Sequence, residues 1–78
     1  MISLSTLLGG RIPIESSNLA SVGFDSFTNV LEIEFHGGRI YEYYNVPFSI
    51  YAGLMAAESH GKYFARHIRD KYRFRRIH

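Results

Sequence analysis

The chain has 78 residues, a formal net charge of +2, 46% hydrophobic residues and no cysteine. This length predicts one domain with a thin core, because a chain of this size buries only about 60% of the surface that it exposes when unfolded. Disulfides are excluded and the four histidines show no zinc-like spacing, so we expect packing alone to hold the fold, with no metal and no other cofactor.

The first fourteen residues lack clear periodicity and contain Gly9, Gly10 and Pro13. They are predicted to form an N-terminal arm that is free to fray, residues 1–14, in front of a domain that spans residues 15–78. No apolar run approaches the ~20 residues that span a bilayer. The start also lacks the basic residues of a signal peptide. We therefore expect a cytoplasmic protein without a membrane partner.

Strands come first along the domain. A short strand is expected at residues 19–24, with a turn after it. The segment "VLEIEF", residues 30–35, is the clearest strand, because Leu31, Ile33 and Phe35 alternate with glutamates. A further strand follows in "RIYEYYNVP" and is stopped by its proline.

The hairpin between the last two strands has two possible registers. A three-residue loop at 36–38 pairs Ile33 with Tyr41 and Leu31 with Tyr43, which keeps apolar residues together, and we prefer it. The tyrosines would then be core residues, with the opposite face formed by Glu32, Glu34 and Glu42. A two-residue glycine loop would move the tyrosines to that face. Exposed, they would offer a stacking platform like that of proteins that bind single strands.

Helical spacing begins after Pro47. A first helix is predicted over about 48–58, and a second from about Lys62, with Ser59 or His60 near its start. In the second helix, one stripe is apolar (Phe64, Ile68, Tyr72) and another is cationic (Lys62, Arg66, Arg69, Arg73). The predicted fold class is α+β: an antiparallel sheet of about three strands, followed by two helices packed on one face.

Positive charge is concentrated at the C-terminal end. Residues 60–78 hold seven of the nine Lys and Arg residues and a single acid, Asp70. Part of this pattern suits a helix C-terminus, where cations are favourable. Lys62, at the start of the helix, needs another explanation, and an anionic partner supplies one. The residues predicted to bind RNA or single-stranded nucleic acid are Lys62, Arg66, Arg69, Arg73, Arg75 and Arg76, with Tyr63, Tyr72 and Phe74 as stacking candidates.

Two further features bear on ligand binding and on catalysis. The segment "SHGKYF", residues 59–64, could bind a phosphate at a helix start. It also fits an interhelical turn with a serine cap, which is the simpler interpretation. For catalysis, Ser59 and His60 are sequence neighbours whose side chains diverge, and a contact between His67 and Asp70 is more often structural. We expect a protein that is not an enzyme.

Several ordered motifs resemble one known family. Tyr-x-Tyr at 41–43, Val-Pro at 46–47, Ser-x-Gly-Lys-Tyr-Phe at 59–64 and Ile-Arg-x-x-Tyr at 68–72 are similar to the KTSC domain. That family occurs at the C-terminus of some lysyl-tRNA synthetases and alone in short bacterial and phage proteins. The resemblance covers about residues 15–77, with Phe24 where the family often has Tyr. It implies the fold, suggests RNA binding, and transfers no catalytic residue.

The prediction that competes with nucleic-acid binding is a protein-interaction module. Its surface would be the acidic strand face, formed by Glu32, Glu34 and Glu42 with Ile40 and Tyr44 nearby. Such a face could dock a protein partner or a second copy of the chain.

Overall fold

The computed structural model describes residues 10–78. Most of the predicted N-terminal arm lies outside the described residues. Its last part contains the first strand, β1 (Ile12–Pro13).

An antiparallel meander forms the sheet. Along the chain it comprises β1, β2 (Leu19–Asp25), β3 (Val30–Phe35), β4 (Ile40–Tyr43) and β5 (Phe74–Arg76), and each strand pairs with its sequence neighbour. Two helices, α1 (Phe48–Ala56) and α2 (His60–His67), lie between β4 and β5. The α+β class is confirmed. The expectation of about three strands is corrected to five in the described part of the chain.

The two additional strands are too short to show alternation. β1 has two residues, and β5 has three residues, all exposed. Backbone bonds define β5: the Tyr44 amide donates to the Arg73 carbonyl at 2.9 Å, and the Ile77 amide donates to the Ile40 carbonyl at 2.8 Å. Pairing with the β4 edge therefore decides this strand, and local sequence does not.

The hairpin register is the one preferred from sequence. Leu31 pairs with Tyr43 and Ile33 with Tyr41. The loop turns through Gly37 and Gly38, whose φ angles of 102° and 94° favour glycine. The tyrosines therefore lie on the same face of the sheet as the apolar residues of β3.

A bulge in β2 breaks the simple alternation expected there. The pairing shifts between Leu19, opposite Phe35, and Ser21, opposite Glu34, so Ala20 is the extra residue. Leu19 consequently shares the buried face with Val22.

Both helices cover this one face. The Tyr51 ring of α1 stacks on Phe24 at 4.9 Å between centroids, and the Phe64 ring of α2 meets Tyr43 edge-on at 5.6 Å. The buried apolar core consists of Leu19, Val22, Leu31, Ile33, Tyr43, Val46, Leu54, Phe64 and Ile68.

The second helix is shorter than expected. It is capped by Ser59, whose hydroxyl accepts from the Lys62 amide at 3.2 Å, and it ends at His67. The prediction of one helix reaching Arg73 is wrong beyond that point. A longer helix would keep its cations three and four residues apart, where they repel one another. Because the helix ends at His67, the chain that follows can pair with β4. The apolar stripe still faces the core as predicted, because Ile68 is buried and Tyr72 packs against the core.

Candidate functional site

An open groove of about 460 Å³ runs between α2 and the exposed part of the sheet. Its floor comes from β3, β4 and β5, and one wall comes from α2 and the turn after it. The lining residues are Ser17, Asn18, Phe35, His36, Arg39, Tyr41, Tyr43, Gly61, Phe64, Ala65, Arg69, Asp70 and Phe74.

Aromatic rings form a continuous cluster in this groove. Tyr41 lies 5.6 Å from Phe74 and 5.6 Å from Phe35, between ring centroids. Tyr43 lies 5.7 Å from Phe74 and 5.6 Å from Phe64. Two strand pairings cause this arrangement. The hairpin register sets Tyr41 opposite Ile33. The pairing of β5 with β4 sets Phe74 opposite Tyr43.

The rings differ in how much surface they offer. Phe74 is 54% exposed, Tyr41 and Phe35 are half-buried, and Tyr43 is buried. Burial raises the pKa of Tyr43 to about 12, with a further contribution from the adjacent Tyr41 hydroxyl. Tyr43 is thus a core residue, whereas Tyr41 and Phe74 present ring surface to a ligand.

Guanidinium groups lie on two sides of the aromatic cluster. The Arg39 Cζ atom is 5.3 Å from the Phe35 ring centroid, in cation–π range. Arg69, in the turn after α2, is 60% exposed, and its Nε lies 3.8 Å from an Asp70 oxygen. A flat, apolar ligand in the groove would therefore have positive charge close to two of its edges.

A second hollow of about 490 Å³ adjoins the first. The two share Ser17, Asn18, Gly61 and Ala65, and the second adds Lys62 together with Glu15 and Glu58. Together they form one concave path along the sheet side of α2, from Lys62 to Phe74.

The cations predicted to bind nucleic acid are distributed around this path. Arg69 lines the groove and Lys62 lines the second hollow. Arg66 is exposed on α2, and Arg73 is exposed just before β5. Strand pairing sets Arg76 opposite Tyr41, on the helix side, but sets Arg75 opposite Glu42, on the other side of the sheet.

These cations have little compensation. In residues 10–78, Arg69 is the one member of the predicted set within 4 Å of an Asp or Glu carboxylate, and that pair is exposed. Arg76 donates from its Nε to the His78 oxygen at 3.0 Å. Exposed pairs of this kind contribute about 0–1 kcal/mol. The positive charge of this surface is therefore available to an anionic partner.

The three predicted stacking residues lie in different environments. Phe74 lines the groove. Tyr63 instead packs between the helices, over Gly53 and 4.4 Å from the His67 ring between centroids. Tyr72 packs half-buried against the core. Of the three, Phe74 has the surface that base stacking requires.

The acidic strand face is covered more than its sequence indicates. Glu32 is fully buried and pairs with Arg11. Arg11 also donates to the Ser21 hydroxyl at 3.0 Å, and Ser21 donates to Glu34 at 2.7 Å. Glu42 accepts from the Tyr44 hydroxyl at 3.0 Å. Of the predicted protein-docking face, Glu32 is not accessible, and the residues that remain are half-buried: Glu34, Ile40, Glu42 and Tyr44.

Phe35, Arg39 and Asp70 line the groove but are absent from the ligand-binding set that the sequence predicts. Tyr41, predicted as a core residue, is half-buried and lines the groove as well. The preferred register already indicates that Phe35 and Tyr41 are partly exposed, because the apolar face that it creates extends past Ile33 to the end of the hairpin. A short α2 cannot cover a sheet face of that length.

Two classes of site have no support in residues 10–78. No group of three His, Asp or Glu side chains is arranged there to hold a metal ion. Neither helix has the length and apolar character needed to cross a bilayer.

Sequence and structure comparisons agree on one family. Residues 15–72 match the family model of the KTSC domain. The crystal structure of a KTSC domain protein from Yersinia pestis is similar with a TM-score of 0.83 at 36% sequence identity, covering 87% of this chain and 96% of that chain.

Curated relatives carry the region in two contexts. An uncharacterised protein from Stutzerimonas stutzeri is 37% identical over 68 residues, which cover 86% of this chain and 96% of the relative. A lysine–tRNA ligase from Trichormus variabilis is 33% identical over 63 residues, which cover 81% of this chain but 11% of the ligase. The family model, the relatives and the solved structure together show that this chain belongs to the KTSC domain family.

Proposed function

We propose that this domain is a non-catalytic module that binds single-stranded nucleic acid. We expect RNA to be the preferred ligand and to lie in the groove between α2 and strands β3, β4 and β5. The observation that carries the proposal is the half-exposed aromatic cluster of Tyr41 and Phe74 with Arg39 and Arg69 on either side.

Stacking supplies the first part of the interaction. Base–aromatic stacking is worth about 1–3 kcal/mol per base and tolerates any base, because every base has a π face. Phe74 offers the largest ring surface in the groove, at 54% exposure. Bases in a duplex are already stacked and hidden, so a groove of this kind favours unpaired nucleotides.

Phosphate contacts supply the second part. Lys62, Arg39 and Arg69 border the joined hollows, and Arg76 is on the same side of the sheet. A strand whose base occupies the groove can follow these cations with its backbone. Such contacts position a ligand without reading its sequence.

The lysine–tRNA ligase relatives support RNA as the partner. Their name states that they act on a tRNA, and 11% of the Trichormus variabilis protein is similar to this chain. A domain carried by such a protein would have RNA close by.

Binding of short fluorescent oligonucleotides, followed by anisotropy at low salt, tests the proposal. We expect wild type to bind single-stranded RNA more tightly than a duplex of the same sequence. Arg69→Gln should weaken binding more than Arg75→Gln, since both remove one charge but Arg75 lies on the other side of the sheet. The absence of any binding to RNA or DNA by folded wild type would sink the proposal, and equal losses in the two variants would remove the groove from it.

A further inference from the structure

Asp70 is an acidic residue in the cationic surface that is proposed to bind nucleic acid. It is the single acidic residue in 60–78, and it is the one carboxylate that lines the aromatic groove. Its side chain is 83% exposed. A carboxylate at this position repels phosphates, so its presence calls for a role in the groove.

No hydrogen bond of the Asp70 side chain is found among residues 10–78. In the described part of the chain its one charged neighbour is Arg69, at 3.8 Å, beyond hydrogen-bond distance. The backbone bonds of this turn run from the Arg69 amide to Phe64 and from the Lys71 amide to Ile68. Both carboxylate oxygens are therefore available as acceptors in the groove.

We propose that Asp70 selects the base that occupies the groove, favouring guanine, through hydrogen bonds to the base edge. This inference rests on the proposed function, because it concerns the same groove. It adds base preference to a site whose stacking and phosphate contacts have none.

The chemistry of the base edges sets the preference. An ionised carboxylate only accepts hydrogen bonds, with two oxygens side by side. The Watson–Crick edge of guanine offers two adjacent donors, N1–H and the N2 amino group, so it can engage both oxygens. Adenine and cytosine offer one amino group each. Uracil and thymine offer a single N–H between two carbonyls, which repel a carboxylate.

The neighbouring cation completes the match. The guanine O6 atom follows N1–H along the same edge and is an acceptor. Arg69 lines the groove beside Asp70 and has donors for such an oxygen. Donor and acceptor side chains next to each other in the turn thus correspond to the order of groups on guanine.

The test uses labelled nonamers of uridine with one central position occupied by guanosine, inosine, adenosine, cytidine or uridine, each also made as the deoxy series. Wild type is expected to bind the guanosine oligomer at least about fivefold more tightly than all-uridine, the lower end of what a good bidentate contact gives. Inosine lacks the N2 amino group and should fall between them.

Asp70→Asn should bring the guanosine and uridine oligomers within about twofold of each other, since it replaces one acceptor with a donor. Glu58→Gln is the matched control: it removes one charge from the adjoining hollow and should keep the wild-type ratio. Equal binding of guanosine and uridine oligomers by wild type, or an unchanged ratio in Asp70→Asn, would overturn the base selection alone. Failure of wild type to bind any oligomer would instead overturn the proposed function.

Discussion

Gly53 of α1 and Tyr63 of α2 are in direct contact, and the Tyr63 ring occupies the space that any side chain at Gly53 would need. A Cβ atom at Gly53 would lie 2.7 Å from Tyr63 Cζ and closer still to the hydroxyl oxygen. The Tyr63 ring can lie here only because position 53 lacks a side chain.

Substituting Gly53 with alanine is therefore expected to destabilise the domain by about 1–3 kcal/mol through overpacking, despite the better helix propensity of alanine. Gly61→Ala is the control in α2, where a Cβ would meet Ser16 Oγ at an ordinary 3.6 Å. That variant should be neutral or up to about 1 kcal/mol more stable. Urea denaturation measures both, and a stabilised Gly53→Ala would contradict the packing described.

The Arg11–Glu32 pair allows a second prediction. Glu32 is fully buried, and its Oε2 atom has no hydrogen-bond partner among residues 10–78. Arg11→Met would leave this carboxylate without its counter-ion and is expected to cost about 3 kcal/mol. Adding Glu32→Gln should restore part of that loss, with a coupling of at least about 1 kcal/mol in a double-mutant cycle. Strictly additive unfolding free energies would show that the two side chains are not coupled.

Alkaline pH should destabilise the fold through Tyr43. Its pKa is raised from 10.0 to about 12 by burial, so between these values the unfolded chain loses the proton while the folded chain keeps it. The stabilisation is complete below pH 10 and is lost as pH rises towards 12, by about 1.4 kcal/mol per pH unit.

Tyr43→Phe should flatten this loss while leaving stability at pH 7 within about 1 kcal/mol of wild type. The pKa of Tyr44 is also raised, by burial and by its hydrogen bond to Glu42. Because Tyr44 is present in both proteins, its contribution cancels in the comparison. Urea midpoints at pH 9, 10 and 11 provide the comparison. Parallel curves for wild type and Tyr43→Phe would show that another group causes the loss.

Salt dependence separates stacking from phosphate contact in the proposed site. With about four phosphate contacts, the slope of log affinity against log salt should be near −3 for a single strand. Phe74→Ala should lower affinity by about 1–3 kcal/mol and keep this slope. Arg39→Gln should make it shallower by about 0.7. Stability should stay near wild type in both, because both side chains are exposed. A slope that changes with Phe74 and not with Arg39 would reverse these assignments.

Local pattern was sufficient for the central hairpin. Alternation in "VLEIEF", the two glycines and the preference for keeping Tyr41 beside Ile33 led to the observed register. The helix after Pro47 was also predictable from local sequence. A proline is favourable at a helix start, and the apolar residues that follow it have helical spacing. Each of these elements is decided by residues close in sequence.

The end of α2 and the strand after it could not be obtained in that way. Apolar residues continue at a spacing of four through Phe64, Ile68 and Tyr72. No residue in this segment indicates that the helix ends at His67. The β4 edge, whose residues precede their β5 partners by 31 to 35 positions, offers backbone partners to Phe74–Arg76 and decides where the helix ends. The groove depends on the same event, since β5 brings Phe74 to Tyr41 and Tyr43.

The order of strands also separates the chain's entry into the sheet from its proposed ligand. β1 forms one edge and β5, with Phe74, forms the opposite edge. The described chain therefore enters the sheet at the edge away from Phe74. The strand that begins the sheet and the ring proposed to stack on a base are separated by the full width of β2, β3 and β4.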